Sequence, residues 1–296
     1  MPLVPLPAKS VLPRAQIASL LAALLAVALL AGCGSTSSSS TSTTASASDC
    51  TPDKLQTKTQ GQLTVATDKP AYPPYFEDND PTNGKGFESA TAYAIASKLG
   101  YSRADVHWVT EPFNSSYAPG PKGFDLDVNE ISITPARAQH VDFSAPYYTA
   151  NQAVVAAKGS DAENARSLAD LKSASIGVQI GTTSLDAVNS EIQPSSEPKV
   201  FNDSNDVVTA LKENQVDAVV VDLPTALYLT AAQVPSATIV GQFSAPGGDQ
   251  WGALLAKGSP LTGCVSNAIE ELRSSGLLGR IENRWMSQAA NAPVLH

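Results

Sequence analysis

The sequence predicts an α/β fold with two lobes, each a mostly parallel sheet flanked by helices. Three observations support this prediction: short β-branched segments alternate with segments of helical periodicity, the alternation occurs twice, and about 245 residues follow a low-complexity stretch. A chain of that length can form one large or two medium domains. Because open parallel sheets bind ligands beyond the carboxyl ends of their strands, polar residues after strands are the candidate site.

The N-terminus resembles a bacterial export signal. Lys9 and Arg14 precede residues 17–31, an almost wholly Ala, Leu and Val run shorter than the roughly twenty residues of a bilayer span. The run ends in Leu30-Ala31-Gly32-Cys33, which resembles the lipobox, where the signal is cut before a cysteine that then carries lipid. We predict a lipoprotein signal peptide at residues 1–32 and lipidation of Cys33; the alternative is an ordinary signal followed by a free cysteine.

Residues 33–49 form a predicted tether, rich in Ser, Thr and Ala and too polar to build a core. The lipid would attach the protein to the extracytoplasmic face of the bacterial cell membrane. Loss of the signal removes Lys9 and Arg14 and no acid, which changes the net charge from −9 to −11. This charge, with no basic run interleaved with aromatics, argues against nucleic acid as a partner.

Two further cysteines, Cys50 and Cys264, remain in the exported chain. Disulfides persist outside the cytoplasm, so we predict that the two are paired, the alternative being two free buried thiols. The bridge would link the start of the folded domain to a C-terminal helix. No metal site is predicted, because His107, His140 and His296 lack ligand spacing to a cysteine.

Strand and helix patterns alternate through both halves. The first half predicts strands at Leu63–Thr67, Val106–Thr110 and residues 126–133, with a helix at residues 89–99 stopped by Gly100. The second half predicts the following elements: a short helix at 168–171, a strand at 175–178, a helix opened by Gly181-Thr182-Thr183, a strand at 200–201, a helix at 205–213, a strand at 218–221, and a helix capped by Asp222 with Pro224 near its first position.

The end of the third predicted strand carries a candidate carboxylate site. Ser132 and Thr134 precede Pro135 at a predicted helix start, and Arg137 follows. Hydroxyls and free N–H groups at a helix N-terminus favour an anion, and a guanidinium can bind both carboxylate oxygens. The alternative is a surface arginine beside an ordinary capped helix.

The second half offers the complementary groups. Thr182 and Thr183 open a helix after Gly181, where they could bind the same carboxylate. Asp222 leaves the sheet after Val221 and could accept hydrogen bonds from an ammonium group, the alternative being a plain helix cap. Three aromatic residues follow predicted strands and could either stack on a ligand or pack in the core: Tyr72, Tyr75 and Phe113.

Five segments in the same order carry a family resemblance over residues 61–285. They are Ala66-Thr67-Asp68 with Tyr72-Pro73-Pro74, Gly86-Phe87-Glu88, Ser132-Ile133-Thr134-Pro135 through Arg137, Asp142-Phe143-Ser144 with Pro146-Tyr147-Tyr148, and Gly181-Thr182-Thr183. The chain resembles the polar amino-acid binding proteins of ATP-binding-cassette importers. The resemblance implies the periplasmic-binding type II fold with a two-strand hinge near residues 150–156 and 244–254, lobe 1 at 50–152 and 248–296, and lobe 2 at 153–247.

The resemblance also implies roles for individual residues. Arg137 would hold the α-carboxylate with Ser132 and Thr183, and Asp222 would bind the α-ammonium. Tyr72 and Phe113 would enclose the aliphatic part, and Asp68, Glu88 and Glu130 would line the side-chain pocket, with Thr134 beside Arg137. The family usually has Asp and a further acid where this chain has Glu88-Ser89-Ala90-Thr91, and residue 130 is often small or hydroxyl-bearing. Glu88 could instead hold backbone amides.

Charge counting suggests the ligand. With Arg137 and Asp222 assigned to the zwitterion, the three other carboxylates have no cationic partner, and an unpaired buried charge is costly. A basic or amide side chain would relieve this, so arginine, lysine or glutamine is the hypothesis. The resemblance further implies a membrane permease as partner. A monomer is the default expectation for a tethered carrier, and no cofactor is expected.

Three alternatives stay open at this point. An acid-base enzyme on the same fold could use Glu88 and Glu130, although no nucleophile elbow or phosphate loop is present. A sensor would present the closed form to a receptor instead of a permease. A purely structural surface protein would not need opposed sites at strand ends.

Overall fold

The computed structural model describes residues 49–245, 247–286 and 292–296. The predicted signal peptide, Cys33 and all of the tether except its last residue lie outside the described residues. Within the part of the chain that is described, no helix is both long enough and apolar enough to cross a bilayer.

The first sheet contains five strands: β1 (Leu63–Thr67), β2 (Val106–Thr110), β3 (Leu126–Asp127), β4 (Val141–Ala150) and β10 (Asp249–Ala256). Their order is β2-β1-β3-β10-β4. The second sheet contains β5 (Gln152–Ala156), β6 (Ile176–Gln179), β7 (Lys199–Phe201), β8 (Ala218–Asp222) and β9 (Thr238–Phe243). Its order is β7-β6-β8-β5-β9. In each sheet three strands of one βαβ region therefore lie next to one another at one side of the sheet: β1, β2 and β3 in the first, and β6, β7 and β8 in the second.

Seven α-helices are described: α1 (Phe87–Lys98), α2 (Phe113–Ser116), α3 (Thr183–Ala187), α4 (Ser204–Lys212), α5 (Leu223–Tyr228), α6 (Thr262–Ser274) and α7 (Leu277–Trp285). Helices α1, α6 and α7 pack together on the first sheet, and α3, α4 and α5 contact strands of the second. We call the first sheet with α1, α2, α6 and α7 the first lobe, and the second sheet with α3, α4 and α5 the second lobe.

The predicted two-lobed α/β fold is confirmed, and each sheet is mixed. Strands β1, β2 and β3 pair in parallel, as do β6, β7 and β8, because helices or longer segments connect them. Strand β10 pairs antiparallel with β3 and β4, and β5 pairs antiparallel with β8 and β9. The strands β4 and β5 flank one passage between the lobes, and β9 and β10 flank the other; all four form antiparallel pairs.

The chain passes between the sheets at two points. Only Asn151 separates β4 of the first sheet from β5 of the second, and residues 244–248 separate β9 of the second from β10 of the first. We call these the first and second crossings. Two short segments between rigid sheets are the geometry of a hinge.

The C-terminal residues return to the second sheet. Val294 forms a parallel bridge with Gln242 of β9, and the Leu295 side chain is buried in the second lobe's core. The N–H of Leu168 donates to the carbonyl of His296. The sequence-based boundary placed residues 248–296 together in lobe 1, whereas residues 292–296 pack on the second lobe.

Strand alternation gives each sheet two buried faces. In β5, Val154 and Ala156 pack on one side of the second sheet, and Ala153 and Val155 pack on the other. In the first sheet, Val65 belongs to the large core under α1 and α6, while neighbouring Ala66 faces a smaller cluster with Phe124 and Ile131. Because both faces of each sheet are buried, the sequences of the central strands are continuous runs of mostly apolar residues.

The predicted disulfide is present between Cys50 and Cys264 in α6. It joins residues 214 positions apart and fixes the start of the folded chain to the helical layer of the first lobe. In the chain-entropy model, closing so long a loop stabilises the fold by about 4 to 5 kcal/mol.

Two local predictions near the site are wrong. The strand predicted over residues 126–133 is regular only at Leu126–Asp127, because Glu130 has a left-handed backbone with φ of +50° that interrupts it. The helix predicted to begin at Pro135 is a single 3-10 turn, Arg137–Gln139, ending at His140. A single turn has too small a helix dipole to attract an anion, so the positive charge at this position must come from the Arg137 side chain.

Candidate ligand-binding site

A cleft of about 460 Å³ lies between the two lobes. Thr67 ends β1 and Asp68 follows it, Gln179 and Asp222 end β6 and β8, and all four line the cleft, as expected for the carboxyl ends of parallel strands. Eight of the ten predicted ligand-binding residues line the cleft: Asp68, Tyr72, Phe113, Glu130, Ser132, Arg137, Thr183 and Asp222. Glu88 and Thr134 do not.

Arg137 projects into the cleft with its guanidinium held on several sides. Nη1 donates to the carbonyl of Ser132 at 2.7 Å, and Nη2 donates to the carbonyl of Gly181, in the second lobe, at 2.9 Å. The guanidinium carbon lies 5.3 Å from the ring centre of Phe113 and 4.6 Å from that of Tyr117. Cation–π contact and hydrogen bonds together fix the planar group in one orientation.

The environment of Arg137 favours an anionic ligand. The side chain is 7% exposed, and this burial lowers the pKa of the guanidinium, although Tyr117 and several carboxylates oppose the shift. A buried cation that hydrogen-bonds only neutral carbonyls gains strongly from a carboxylate partner. The group is therefore suited to bind the carboxylate of a small ligand.

Hydroxyl groups surround this position. Thr134 accepts a hydrogen bond from the N–H of Arg137 at 3.2 Å, so it shapes the turn and does not reach the cleft. Ser132 Oγ and Thr183 Oγ1 share a hydrogen bond of 3.3 Å across the two lobes. Thr182 caps α3 by accepting from the N–H of Leu185, as its position after Gly181 predicts.

Asp222 lies at the N-cap position of α5, but its side chain makes no capping hydrogen bond there. Its Oδ1 accepts from Nε2 of Gln152 at 2.6 Å. Burial raises the pKa of Asp222 to about 8, the Asp249 carboxylate adds to this rise, and Gln152 and Arg137 oppose it. A carboxylate placed this way gains from an ammonium ligand, because the added positive charge favours its ionised form.

Glu88 and Glu130 form a carboxyl pair at the first-lobe wall. Glu88 is fully buried behind the cleft, where Oε1 accepts from the N–H of Glu130 at 2.8 Å and from the hydroxyl of Tyr147. Burial raises the pKa of Glu88, and burial together with the charge of Glu88 raises the pKa of Glu130 well above its usual value. The contacts of Glu88 match the alternative in which it holds a backbone amide, and Glu130 faces the cleft.

Asp68 and the aromatic residues shape the rest of the first-lobe wall. Asp68 accepts from the N–H of Phe113 at 3.3 Å and so fixes the start of α2. Tyr72 lies 6.0 Å from Tyr228 of the second lobe, measured between ring centres, and its hydroxyl donates to Asn205 Oδ1. Tyr72 thus contacts the opposite lobe as well as the cleft.

The structure puts Tyr75, a candidate left open by the sequence, in the cleft wall, and it adds residues that the sequence analysis did not name. Tyr75 and Thr225 share a hydrogen bond of 2.8 Å between the lobes, and both line the cleft. Further polar residues that line the cleft include Gln179, Ser184, Asn202, Asp203, Asn205 and Gln233. For most of them the available signal was a position at or soon after the end of β6 or β7, whereas Gln233 lies beyond α5.

The two walls contact each other directly. The bonds from Tyr72 to Asn205, Tyr75 to Thr225 and Arg137 to Gly181 all join the first lobe to the second. The structure therefore shows a closed cleft, in which a small molecule would be enclosed by both lobes.

Comparisons with known proteins agree with this geometry. Residues 63–288 match the family described as bacterial extracellular solute-binding proteins, family 3. The arginine-binding extracellular protein ArtP of Bacillus subtilis (strain 168) is 30% identical over 218 residues, covering 72% of this chain and 82% of that protein. The ABC transporter glutamine-binding protein GlnH of Bacillus subtilis (strain 168) is 28% identical over 276 residues, covering 90% of this chain and 96% of that protein.

Solved structures show the same fold. An ancestral arginine-binding protein bound to glutamine superposes with a TM-score of 0.64 at 33% identity, covering 77% of this chain and 99% of that chain. An ancestral arginine-binding protein bound to arginine superposes with a TM-score of 0.63 at 34% identity, covering 76% of this chain and 98% of that chain. With a closed interlobe cleft and a family match over residues 63–288, the chain belongs to the bacterial extracellular solute-binding proteins, family 3.

Proposed function

We propose that this protein captures a polar amino acid with a basic or amide side chain. The observation that supports this most directly is that Arg137 and Asp222, from different lobes, line one enclosed cleft. The first would bind the α-carboxylate and the second the α-ammonium, so only a zwitterion satisfies both. Relatives named as arginine-binding and glutamine-binding proteins support the same ligand class.

The charges of the cleft favour a cation or an amide at the far end of the ligand. Besides Asp222, three acidic residues line it: Asp68, Glu130 and Asp203. Lys69 is exposed at the rim, and Arg137 is already assigned to the carboxylate. A guanidinium, ammonium or amide near Glu130 would supply the donors that this wall lacks.

Delivery to a membrane permease completes the proposal. The lipid on Cys33 would tether the domain to the extracytoplasmic face, and the closed form would be the state that an importer recognises. The match to relatives that serve ABC transporters supports this assignment. Micromolar capture needs about 8 kcal/mol, which a ligand of roughly ten heavy atoms can supply.

A ligand panel tests the proposal. The full chain, purified in detergent, is heated with each common amino acid, and ligand that binds only the native state raises the melting temperature. We expect arginine, lysine or glutamine to give the largest increase. A panel in which glutamate or leucine gives the largest increase would contradict the proposed ligand class.

An enzyme on this fold is the second candidate, and two observations favour it. A solved neighbour at 29% identity and a TM-score of 0.62 is an ancestral amino acid-binding protein described as a precursor of cyclohexadienyl dehydratase, and Glu130 in the cleft has a raised pKa. A raised carboxyl pKa suits a general acid. We expect mass spectrometry after long incubation to recover the bound amino acid unchanged, and conversion to a product would favour the enzyme.

A further inference from the structure

Gln152 connects the cleft to the second crossing. It begins β5 immediately after the first crossing and is fully buried. Its Nε2 donates to Asp222 Oδ1 at 2.6 Å and to Asp249 Oδ2 at 2.6 Å. Asp249 begins β10, the first strand after the second crossing, so one amide nitrogen bonds a carboxylate in the cleft and a carboxylate of the hinge.

Strand register explains this meeting. Gln152 lies opposite Asp222 in the β5–β8 pair, which puts their side chains on the same face of the second sheet. Asp249 lies opposite Ala150 in the β10–β4 pair, two residues before Gln152. The three groups are therefore fixed by both sheets.

A fourth residue sets the orientation of the amide. Ser184 Oγ donates to Gln152 Oε1 at 2.6 Å, which leaves the NH₂ end of the amide directed at the two carboxylates. Ser184 belongs to α3 and lines the cleft. The network thus joins α3, β5, β8 and β10.

The charge balance of this network is unusual. The buried carboxylate of Asp249, which is only 1% exposed, and the half-buried carboxylate of Asp222 share one neutral donor. The charged and titratable groups that act on this region from neighbouring elements are Arg137, Glu88, Glu130, Tyr75 and Tyr148. Only Arg137 among them is a cation, and its guanidinium bonds carbonyls elsewhere.

We propose that Gln152 is a positioning residue that holds Asp222 and Asp249 side by side, so that a ligand ammonium arriving at Asp222 displaces a proton from Asp222 to solvent. This inference rests on the proposed binding of an amino acid at Asp222. The ligand ammonium then neutralises Asp222 in place of the proton. In the closed form, Gln152 also bonds Asp249 and so holds the end of the second crossing next to the cleft.

The sign of the pH effect follows. The pKa of Asp222 is about 8, so below that value ammonium binding must remove a proton. The apparent affinity should therefore rise with pH, by up to tenfold per pH unit, until it levels off near pH 8.

Calorimetry with two probes tests the proposal on the full chain. L-arginine and L-glutamine share the α-ammonium and differ in side-chain charge. Each is titrated from about pH 5.5 to about pH 8.5 in buffers of different ionisation enthalpy, which gives the number of protons released. We expect release of nearly one proton near neutral pH with both probes. Release with arginine alone would assign the proton to Glu130 and overturn the proposal.

Two variants should shift the pH profile in opposite directions. Asp249→Asn removes the neighbouring charge, so the rise in affinity should move to lower pH with fewer protons released near neutral pH. Gln152→Leu removes the donor that favours the ionised form, so the rise should move to higher pH, with about tenfold weaker binding near neutral pH. Asp125→Asn is the control, because Asp125 is a buried carboxylate that accepts from the N–H groups of Lys58 and Thr64.

The outcomes separate the two proposals. If the wild type binds either probe but both variants keep its pH profile, Gln152 has only a structural role and this inference is overturned. If neither probe binds the wild type at any pH, the proposed ligand class fails and the inference fails with it.

Discussion

Single residues decide which charges the cleft offers. Within the first lobe, Arg137 is held by the carbonyl of Ser132 and by the rings of Phe113 and Tyr117, so its guanidinium is oriented before any ligand arrives. Such preorganisation lowers the entropy cost of binding. Glu130 has a left-handed backbone that costs about 1 kcal/mol or more for a side chain of this kind, yet it places the carboxylate at the cleft wall.

The first prediction concerns Arg137. Arg137→Ala leaves a ligand carboxylate buried without its partner, so amino-acid binding should weaken by about 2 to 5 kcal/mol, or roughly thirtyfold to several thousandfold. Calorimetry with L-arginine and L-glutamine measures the loss. Arg103→Ala is a matched control, because Arg103 also stacks on an aromatic ring, that of Tyr93, but is exposed outside the cleft. Unchanged affinity of the Arg137 variant would contradict its assignment.

Turns and crossings between elements decide whether the two walls can meet. Gly181 follows β6 with a positive φ of +74°, and a Cβ there would collide with the Tyr117 hydroxyl of the first lobe. Its carbonyl accepts the bond from Arg137. A glycine is therefore needed both for the backbone conformation and for the close approach of the lobes.

The second prediction follows from this contact. Gly181→Ala should weaken amino-acid binding by about tenfold or more, because backbone strain and the clash with Tyr117 both oppose closure. Gly159→Ala provides the control: Gly159 also has a positive φ, of +78°, but a Cβ there meets nothing within 4 Å. The control should lower the melting temperature without changing the affinity. Equal effects of the two variants on affinity would show that Gly181 has no role in closure.

At the scale of the whole molecule, buried acids link stability to pH. Asp127 is fully buried in β3, neither of its carboxyl oxygens has a hydrogen-bond partner among the described residues, and burial raises its pKa well above the usual value. The folded chain therefore binds more protons than the unfolded chain above about pH 4. It follows that the free energy of unfolding falls as the pH rises through this range.

The third prediction tests this linkage. Asp127→Asn has nearly the shape of the protonated acid and cannot ionise, so the fall in stability between about pH 5 and about pH 8 should become smaller. At about pH 8 the variant should be more stable than the wild type by about 1 kcal/mol or more. Urea unfolding at both pH values measures the difference. Asp161→Asn, at an exposed position, should keep the wild-type slope, and an unchanged slope for Asp127→Asn would contradict the argument.

Much of the fold was accessible from local pattern. The strands Leu63–Thr67 and Val106–Thr110 are observed with their predicted bounds, because β-branched residues bounded by turn residues determine them locally. The predicted pairing of Cys50 with Cys264 is also observed. Residues 126–133 were mispredicted because the φ of Glu130 depends on the buried Glu88 carboxylate, which is 42 positions away in sequence.

By itself, the sequence determined the two-lobed α/β fold, the disulfide, and the presence of a guanidinium and an acid at opposed strand ends. The fold follows from local periodicity and the two charged groups from their positions after strands, whereas the disulfide follows from the number of cysteines left in an exported chain. Only the tertiary structure decided that Gln152 joins Asp222 to Asp249 and that Gly181 touches Tyr117. Such contacts depend on strand register and on how the lobes approach, and both are set by packing between residues that are distant in sequence.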